Sequence, residues 1–351
     1  MAGSEGPTTK GMTVGVIGAG AWGTALAIVA ARAGQQTLLW ARRDEAVAAM
    51  LRTRENLRLP GVPLPEAITP TADLSSLAAC DVLVLAVPAQ QVRGLAQSLI
   101  PYVRRGTPLA LAAKGVEQLS LTLMSDVVAE VLPAAAVAVL SGPTFAAEVA
   151  QGLPTAITLA SRNEAASDAL VAALGQPTFR PYPTDDVIGA ELGGAVKNVL
   201  AIACGIVVGR GLGDNARAAL VARGLAEMMR LGQALGARAE TMMGLSGLGD
   251  LVLTCTSTQS RNLRLGLALG HGRSLAEASS QSAGVVEGVA TAAALMALAD
   301  RHGVELPVAS AVAEVLAGRQ SIDEAIGGLL GRPFRGEGAM GAALARGGSS
   351  V

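Results

Sequence analysis

Two lysines, one aspartate and an arginine-centred cluster could carry most of the chemistry open to this chain. Of its 27 basic side chains only Lys10, Lys114 and Lys197 are lysine. A chain that uses arginine almost everywhere keeps lysine where guanidinium cannot serve: an ammonium is compact and can lose its proton at reachable pH, whereas guanidinium stays charged. Lys10 lies in a polar N-terminal arm, while Lys114 and Lys197 sit in the apolar stretches AAKGVE and GGAVKNVLAIACGI. Between Glu191 and Arg210, Lys197 is the sole charge. Loss of hydration lowers a lysine pKa from its usual value of about 10.4, and a nearby cation such as Lys114 lowers it further. That is how a lysine becomes a general base near neutral pH. Gly193, Gly194 and Ala201, its helical neighbours, are minimal and leave room for something to approach the amine. The competing reading is a snorkelling lysine on a buried helix.

A second cluster lies in GLSGLGDLVLTCTSTQSRNLRLG. Asp250 follows a glycine-rich turn and could hold Lys197 by an ionic hydrogen bond. Ser260, Arg261 and Asn262 stand where a new helix could begin. A guanidinium beside helix N–H groups makes a phosphate clamp, and the alternative is a helix cap with a surface arginine. A third element, SGPTFAAEVAQGLPTAI, carries Gly142 and Thr144 in a loop after a strand, at the carboxyl edge where α/β sheets bind ligands.

These groups need a scaffold, and the periodicity supplies one. Short apolar runs at 13–18, 37–40, 81–87, 108–113, 136–140 and 155–160 alternate with helical stretches, which predicts a parallel sheet covered on both faces. From about Gly189 strand signals disappear and long helices follow. Asp214 is a candidate cap, Ser274-x-x-Glu277 and Ser321-x-x-Glu324 have the capping-box pattern, and Pro307 suits a first turn. The fold class expected is α/β: an N-terminal Rossmann-type doubly wound sheet followed by an all-α C-terminal domain. The expected divisions are an arm over 1–11, a dinucleotide-binding domain over 12–188, a helical substrate domain over 189–335 and a tail over 336–351.

The first strand runs directly into GAGAWG, a G-x-G-x-x-G that opens a helix and leads to a second strand. In that context Gly18 permits the tight turn, Gly20 admits a pyrophosphate to the backbone and Gly23 allows close helix–strand packing. Where an NAD-selective fold usually places an acid for the ribose 2′-hydroxyl, this chain has Arg42 and Arg43, followed by Asp44. Two guanidiniums suit a 2′-phosphate, so NADP is expected to be accepted.

Composition narrows the classes further. Hydrophobic residues make up 51% of the chain and aromatics only 2%, so the core is built from small and branched aliphatics. A net charge of −1 without a like-charge block argues against nucleic acid or an anionic membrane surface as partner. Cys80, Cys204 and Cys255 lack metal spacing and read as reduced thiols of a cytoplasmic protein. Mean hydropathy is high at +0.45, but the longest uncharged run, 131–147, is broken by Pro133, Gly142 and Pro143. No signal peptide and no membrane insertion are expected.

With these pieces assembled, the chain resembles the bacterial NAD(P)-dependent glycerol-3-phosphate dehydrogenases from about Met12 to Phe334. The segments that carry the likeness include VIGAGAWGTALA, AAKGVE, LSGPTFAAEVAQGLPTAI, ELGGAVKNVLAIACGI, NARAALVARGLAEMMRLG, GLSGLGDLVLTCTSTQSRN and VVEGV. The resemblance implies Lys197 as the base at the C2 hydroxyl and Lys114 in contact with substrate and cofactor. It further implies Gly142, Thr144, Asp250, Ser260, Arg261 and Asn262 around the substrate, with Arg261 shared with the dinucleotide and Asn198 and Thr254 in support. Cofactor contacts would be Gly18, Gly20, Ala21, Trp22, Gly23, Arg42, Arg43, Lys114, Ala146, Arg261, Val285 and Glu287. Position 21, often serine in the family, is alanine here, which removes one hydroxyl but leaves the backbone N–H. The implied reaction interconverts sn-glycerol 3-phosphate and dihydroxyacetone phosphate with NADP(H) or NAD(H), without a metal, and supplies glycerol 3-phosphate for phospholipid synthesis. The architecture is compatible with a homodimer. The rival readings are a hydroxyacid dehydrogenase of the same plan and a non-catalytic NADPH-binding sensor.

Overall fold

The structure, a computed structural model, describes residues 11–280 and 285–333. All but Gly11 of the expected N-terminal arm, and the whole 336–351 tail, lie outside the described residues. Among the described residues there are ten strands, all before position 185: β1 (Thr13–Ile17), β2 (Gln36–Trp40), β3 (Glu55–Asn56), β4 (Leu59–Pro63), β5 (Ile68–Thr71), β6 (Val82–Leu85), β7 (Thr107–Leu111), β8 (Ala135–Ser141), β9 (Thr155–Ala160) and β10 (Phe179–Thr184). Eight form one sheet in the order β10-β9-β8-β7-β6-β1-β2-β5, and β3 and β4 pair as a separate antiparallel ribbon.

The alternation of a strand explains why these runs are apolar throughout. Val82 and Val84 of β6 face one buried cluster together with Val14 and Val16 of β1, while Leu83 and Leu85 face a second cluster with Ile17. Helices cover both faces, so neither set of side chains meets water.

The sheet is not wholly parallel, as the apolar runs had implied. β1, β2, β5, β6, β7 and β8 are parallel, but β9 pairs with β8 antiparallel, and β10 follows β9. The helix between β8 and β9, Ala146–Gln151, has 6 residues and rises only about 9 Å, too short to return the chain along the sheet for a parallel pairing. β5 and β10, FRPYPT in the latter, carry prolines that hide them from a strand reading, and both lie at sheet edges.

After Thr184 the chain is helical. The helix Val187–Gly209 is long and apolar enough to cross a membrane by length and composition, yet 89% of its most apolar window is buried inside the fold. It is the core helix around which the second half packs. Its Gly205 lies so close to the helix Arg261–Gly270 that a Cβ there would fall 2.1 Å from the Leu263 carbonyl oxygen, and a Cβ at Gly266 would fall 2.0 Å from that of Ile202. Backbone-to-backbone contact at these glycines sets where the helix Arg261–Gly270 begins, beside Lys197.

Both capping boxes form: Ser321 with Glu324, and Ser274 with Glu277. Pro307 opens its helix, whose N–H groups at Val308 and Ala309 are accepted by buried Glu227 at 2.6 and 3.1 Å. Asp214 is not the cap expected of it. The helix Gly213–Leu235 has Leu212 at that position, and Asp214 sits inside the first turn, where it pairs with Arg217 at 2.8 Å and suits the positive end of the helix dipole.

Glu191, in the core helix, is 4% exposed and accepts from the Ser125 N–H at 2.8 Å and the Ser125 hydroxyl at 2.5 Å, tying the helix Met124–Val131 to the core helix. Burial pushes its carboxyl up to about 7, against the lowering effect of the two Ser125 bonds. A carboxyl raised in the folded state contributes stability that is complete below its unfolded value and lost as pH rises through about 7. The loss is on the order of 3 kcal/mol. Glu191→Gln keeps a hydrogen-bonding amide without the titration, so the melting temperature of the native protein should fall relative to that of the variant between pH 5 and 8. A pH-independent difference between the two melting curves would refute this.

Candidate functional site

Parallel strands deliver their following loops to one edge. The loops after β1, β6, β7 and β8 carry Gly18–Gly20, Ala86–Ala89, Lys114 and Gly142 respectively, and the core helix lies across this edge with Lys197 midway along it. The site is thus shared between the sheet and the helical half.

At its centre is one carboxylate with two ammonium partners. Lys197 donates to Asp250 Oδ1, and Lys114 donates to Asp250 Oδ2 at 2.7 Å and to the Gly142 carbonyl at 3.2 Å. Asp250 is 1% exposed and Lys197 7%. Thr254, one turn on, donates to Asp250 Oδ1 at 3.3 Å. The residues Leu245–Gly249 form a π-helical turn that aims Asp250 at the two lysines. Such turns are frequent at functional sites.

Burial lowers the Lys197 amine to about 8; Asp250 opposes the shift and Lys114 reinforces it. Desolvation outweighs the ion pair. The direction is the one that desolvation imposes on a buried ammonium.

The small residues beside Lys197 serve a different end from the one expected. Gly193 and Gly194 lie directly against other groups of the fold. A Cβ at Gly193 would fall 2.2 Å from the Ser246 carbonyl oxygen, and one at Gly194 would fall 2.9 Å from Ser141 Oγ and 3.2 Å from Lys114 Cγ. The space is filled by the turn that carries Asp250 and by the stem of Lys114. Gly142, at φ +154°, occupies backbone space that side chains rarely adopt, and Thr144 donates to its carbonyl at 3.2 Å.

Next to the lysines a buried amide chain runs from Asn198 to Asn262 to Gly288. Asn262 Nδ2 donates to Asn198 Oδ1 at 2.9 Å, and the Gly288 N–H donates to Asn262 Oδ1 at 3.0 Å. Ser260 caps the helix, accepting from the Leu263 N–H at 3.2 Å. With these side chains so engaged, what Arg261 and Asn262 offer a ligand at the helix start is their backbone N–H groups, together with the exposed Arg261 guanidinium.

The dinucleotide loop has the geometry its glycines require. A Cβ at Gly18, φ +114°, would meet the Ala86 carbonyl oxygen at 2.4 Å, and one at Gly23 would meet that of Gly18 at 1.9 Å. A Cβ at Gly20 would meet nothing within 4 Å, and no side chain caps the helix Ala21–Arg32. Trp22 leaves its buried indole N–H without a partner among the described residues. Open space, uncapped N–H groups and an orphaned donor fit a nicotinamide dinucleotide. Arg42 and Arg43 are exposed just beyond β2, Ala146 opens the short helix after β8, and Val285 is 48% exposed. Glu287, at the start of Glu287–Arg301, is raised by burial and held back chiefly by Arg261, then by Lys114 and Lys197.

Sequence reasoning passed over Ser141 and Ser246, whose buried hydroxyls have no partner among the described residues; Ser141 Oγ lies against Gly194 and the Ser246 backbone carbonyl against Gly193. Nothing in a single sequence marks a serine at a strand end as part of such a site. Among the described residues no group of three or more His, Cys, Asp or Glu is placed to hold a metal ion.

A doubly wound sheet with a dinucleotide loop, joined to an all-helical half that carries a buried lysine, defines an NAD(P)-dependent dehydrogenase. Residues 13–167 match the N-terminal family of NAD-dependent glycerol-3-phosphate dehydrogenase and residues 186–327 its C-terminal family. The chain belongs to that family. It is 56% identical over 325 residues to the glycerol-3-phosphate dehydrogenase (NAD(P)+) of Parvibaculum lavamentivorans, covering 92% of this chain and 98% of that protein. Over 325 residues it is 57% identical to the Caulobacter vibrioides protein of the same name, with the same coverage of 92% and 98%. The crystal structure of glycerol-3-phosphate dehydrogenase from Coxiella burnetii superposes with a TM-score of 0.88 at 42% identity, over 92% of this chain and 99% of that one.

Gly193→Ala should displace the turn before Asp250, because the clash is with backbone at 2.2 Å. The expected result is a loss of about 1–3 kcal/mol in stability and at least about tenfold in turnover, read by thermal melting and steady-state rates. Wild-type turnover in this variant would show that the turn tolerates the shift.

Proposed function

We propose that this chain interconverts sn-glycerol 3-phosphate and dihydroxyacetone phosphate, with Lys197 as the acid–base group. The observation that carries the reading is the buried Lys197 amine, lowered to about 8 and held by Asp250 beside Lys114 at the ligand-binding edge of the sheet. Bound NAD(P) supplies the hydride acceptor at nicotinamide C4 in the oxidative direction and the donor in the reverse.

In oxidation the neutral Lys197 amine takes the C2 hydroxyl proton as the C2 hydrogen leaves as hydride. In reduction its ammonium returns that proton to the forming alkoxide. Lys114 places a second positive charge next to the reacting oxygen, and Asp250 fixes both nitrogens. Arg261, with the N–H groups at the start of Arg261–Gly270, grips the phosphate at the far end of the substrate, so that binding energy there places C2. Thr144 and Gly142 line the sheet side. Gly18, Gly20, Ala21, Trp22 and Gly23 hold the dinucleotide pyrophosphate, and Arg42 and Arg43 accommodate a 2′-phosphate. Ala146, Val285 and Glu287 complete the cofactor contacts.

The reading extends to a cytoplasmic enzyme that supplies glycerol 3-phosphate for phospholipid synthesis, in keeping with its three free, buried cysteines. It also includes a homodimer, for which Val208 and Leu212, 39% and 44% exposed at the end of the core helix, offer apolar surface.

Lys197→Ala should lower turnover about 10²–10⁴-fold while leaving NADPH affinity unchanged, and Lys197→Arg should be similarly poor because guanidinium does not readily deprotonate. Near-normal turnover in either variant removes Lys197 from the role. Since the neutral amine is required for oxidation and the ammonium for reduction, the oxidative rate should rise through about pH 8 and the reductive rate should fall through it. Dihydroxyacetone, lacking the phosphate, should be used far less well than its phosphate ester, and equal use of both would sink the clamp.

A further inference from the structure

Asn56 lies in the ribbon strand β3, in the segment ENLRLP, which the functional reading leaves without a role. It is 6% exposed, and its side chain makes three hydrogen bonds. Nδ2 donates to the Ala19 carbonyl at 3.1 Å and to Thr24 Oγ1 at 2.7 Å, while Oδ1 accepts from the Arg58 N–H at 2.9 Å. The orientation of the amide is unambiguous, because a carbonyl can only accept and a backbone N–H can only donate. One side chain therefore ties the β3–β4 ribbon to the middle of the glycine loop and to the first turn of the helix Ala21–Arg32.

Ala19 stands between Gly18 and Gly20. In a trans peptide the C=O of one residue and the N–H of the next point in opposite directions. Anchoring the Ala19 carbonyl therefore turns the Gly20 N–H away from the ribbon. Glycine loses more backbone freedom on ordering than any other residue, and a bound ligand would otherwise bear that cost for the two glycines of this loop. Thr24, 0% exposed, gives the same amide a second fixed partner on the helix, so the loop and the helix N-terminus are held in one geometry.

We propose that Asn56 is a positioning residue for the dinucleotide: it fixes the Gly18–Gly20 loop so that the backbone donors are set for the pyrophosphate before the cofactor arrives. It touches neither cofactor nor substrate. This inference rests on the reading of that loop as the pyrophosphate cradle, and the test separates the two.

NADPH affinity would be measured by titration for the full-length native protein, Asn56→Ala, Asn56→Asp and Gly20→Val, with thermal melting as a check on folding. Asn56→Ala should weaken NADPH binding about tenfold, and Asn56→Asp should weaken it more, because a carboxylate would face the Ala19 carbonyl. At saturating NADPH the kcat and the KM for dihydroxyacetone phosphate should stay within about twofold of the native values. Affinity for adenosine 2′-phosphate, which has no pyrophosphate, should be unchanged. Gly20→Val puts its side chain into open space, where a Cβ meets nothing within 4 Å, and should abolish NADPH binding without unfolding the protein.

If Gly20→Val binds NADPH normally, the cradle reading falls and the inference with it. If Gly20→Val loses binding but both Asn56 variants keep native affinity, only the role of Asn56 is overturned. Equal losses for NADPH and adenosine 2′-phosphate, or a fall in kcat matching the fall in affinity, would reduce Asn56 to general scaffolding and equally overturn it. Asn56→Ser, which shortens the side chain without adding charge, carries the same test if Asn56→Ala fails to fold.

Discussion

A single carboxylate holding two ammonium groups in a nearly dry interior is the constraint around which this molecule is arranged. Desolvation penalises each of the three charges, and the attraction between them repays that only if their geometry is fixed. Asp250 meets Lys197 through one oxygen and Lys114 through the other. The excess of one positive charge makes loss of a proton from the most buried amine comparatively easy. Burial lowers Lys197 to about 8 even though Asp250 pulls the other way, and Lys114 tips the balance further. The same arrangement that costs stability brings the Lys197 amine down from the ordinary lysine range.

Holding that geometry requires close approach, which accounts for the glycines. Gly193 and Gly194 let the Leu245–Gly249 turn and the stem of Lys114 lie directly against the core helix, and Gly205 and Gly266 bring two helix backbones into contact. In a chain with 2% aromatic residues, the second half packs through backbone proximity at these glycines and through aliphatic side chains such as Leu200, Leu231 and Leu295 rather than through aromatic rings. The buried amides of Asn198 and Asn262 then pin the start of the helix Arg261–Gly270 relative to Lys197. Lys197 and the start of the helix Arg261–Gly270 thus belong to one closely packed part of the fold.

Much of this was legible in the residues themselves. The apolar runs marked β1, β2, β6, β7, β8 and β9, because strands buried on both faces exclude polar residues. The glycine loop was readable because its spacing follows a strand and opens a helix. Lys197 stood out because one charge in a long apolar helix is costly. The edge strands β5 and β10 were hidden by proline, and the reversed direction of β9 was hidden because a strand's composition carries no sense of direction. Asp214 misled because an acid in a first turn and an acid at a cap look alike in sequence.

What the chain determined by itself was local: which segments are buried strands, where helices start and which side chains are chemically able to act. Each follows from neighbours a few residues apart. Only the tertiary structure decided that Lys114, Gly142, Lys197 and Asp250 share one small space, that Gly193 and Gly194 accommodate neighbours rather than a ligand, and that Asn56 reaches the loop at Ala19. These are contacts between residues 28 to 136 positions apart, as in the bonds from Lys114 to Gly142 and to Asp250. Long-range packing selects such pairings, and no property of either residue alone encodes them.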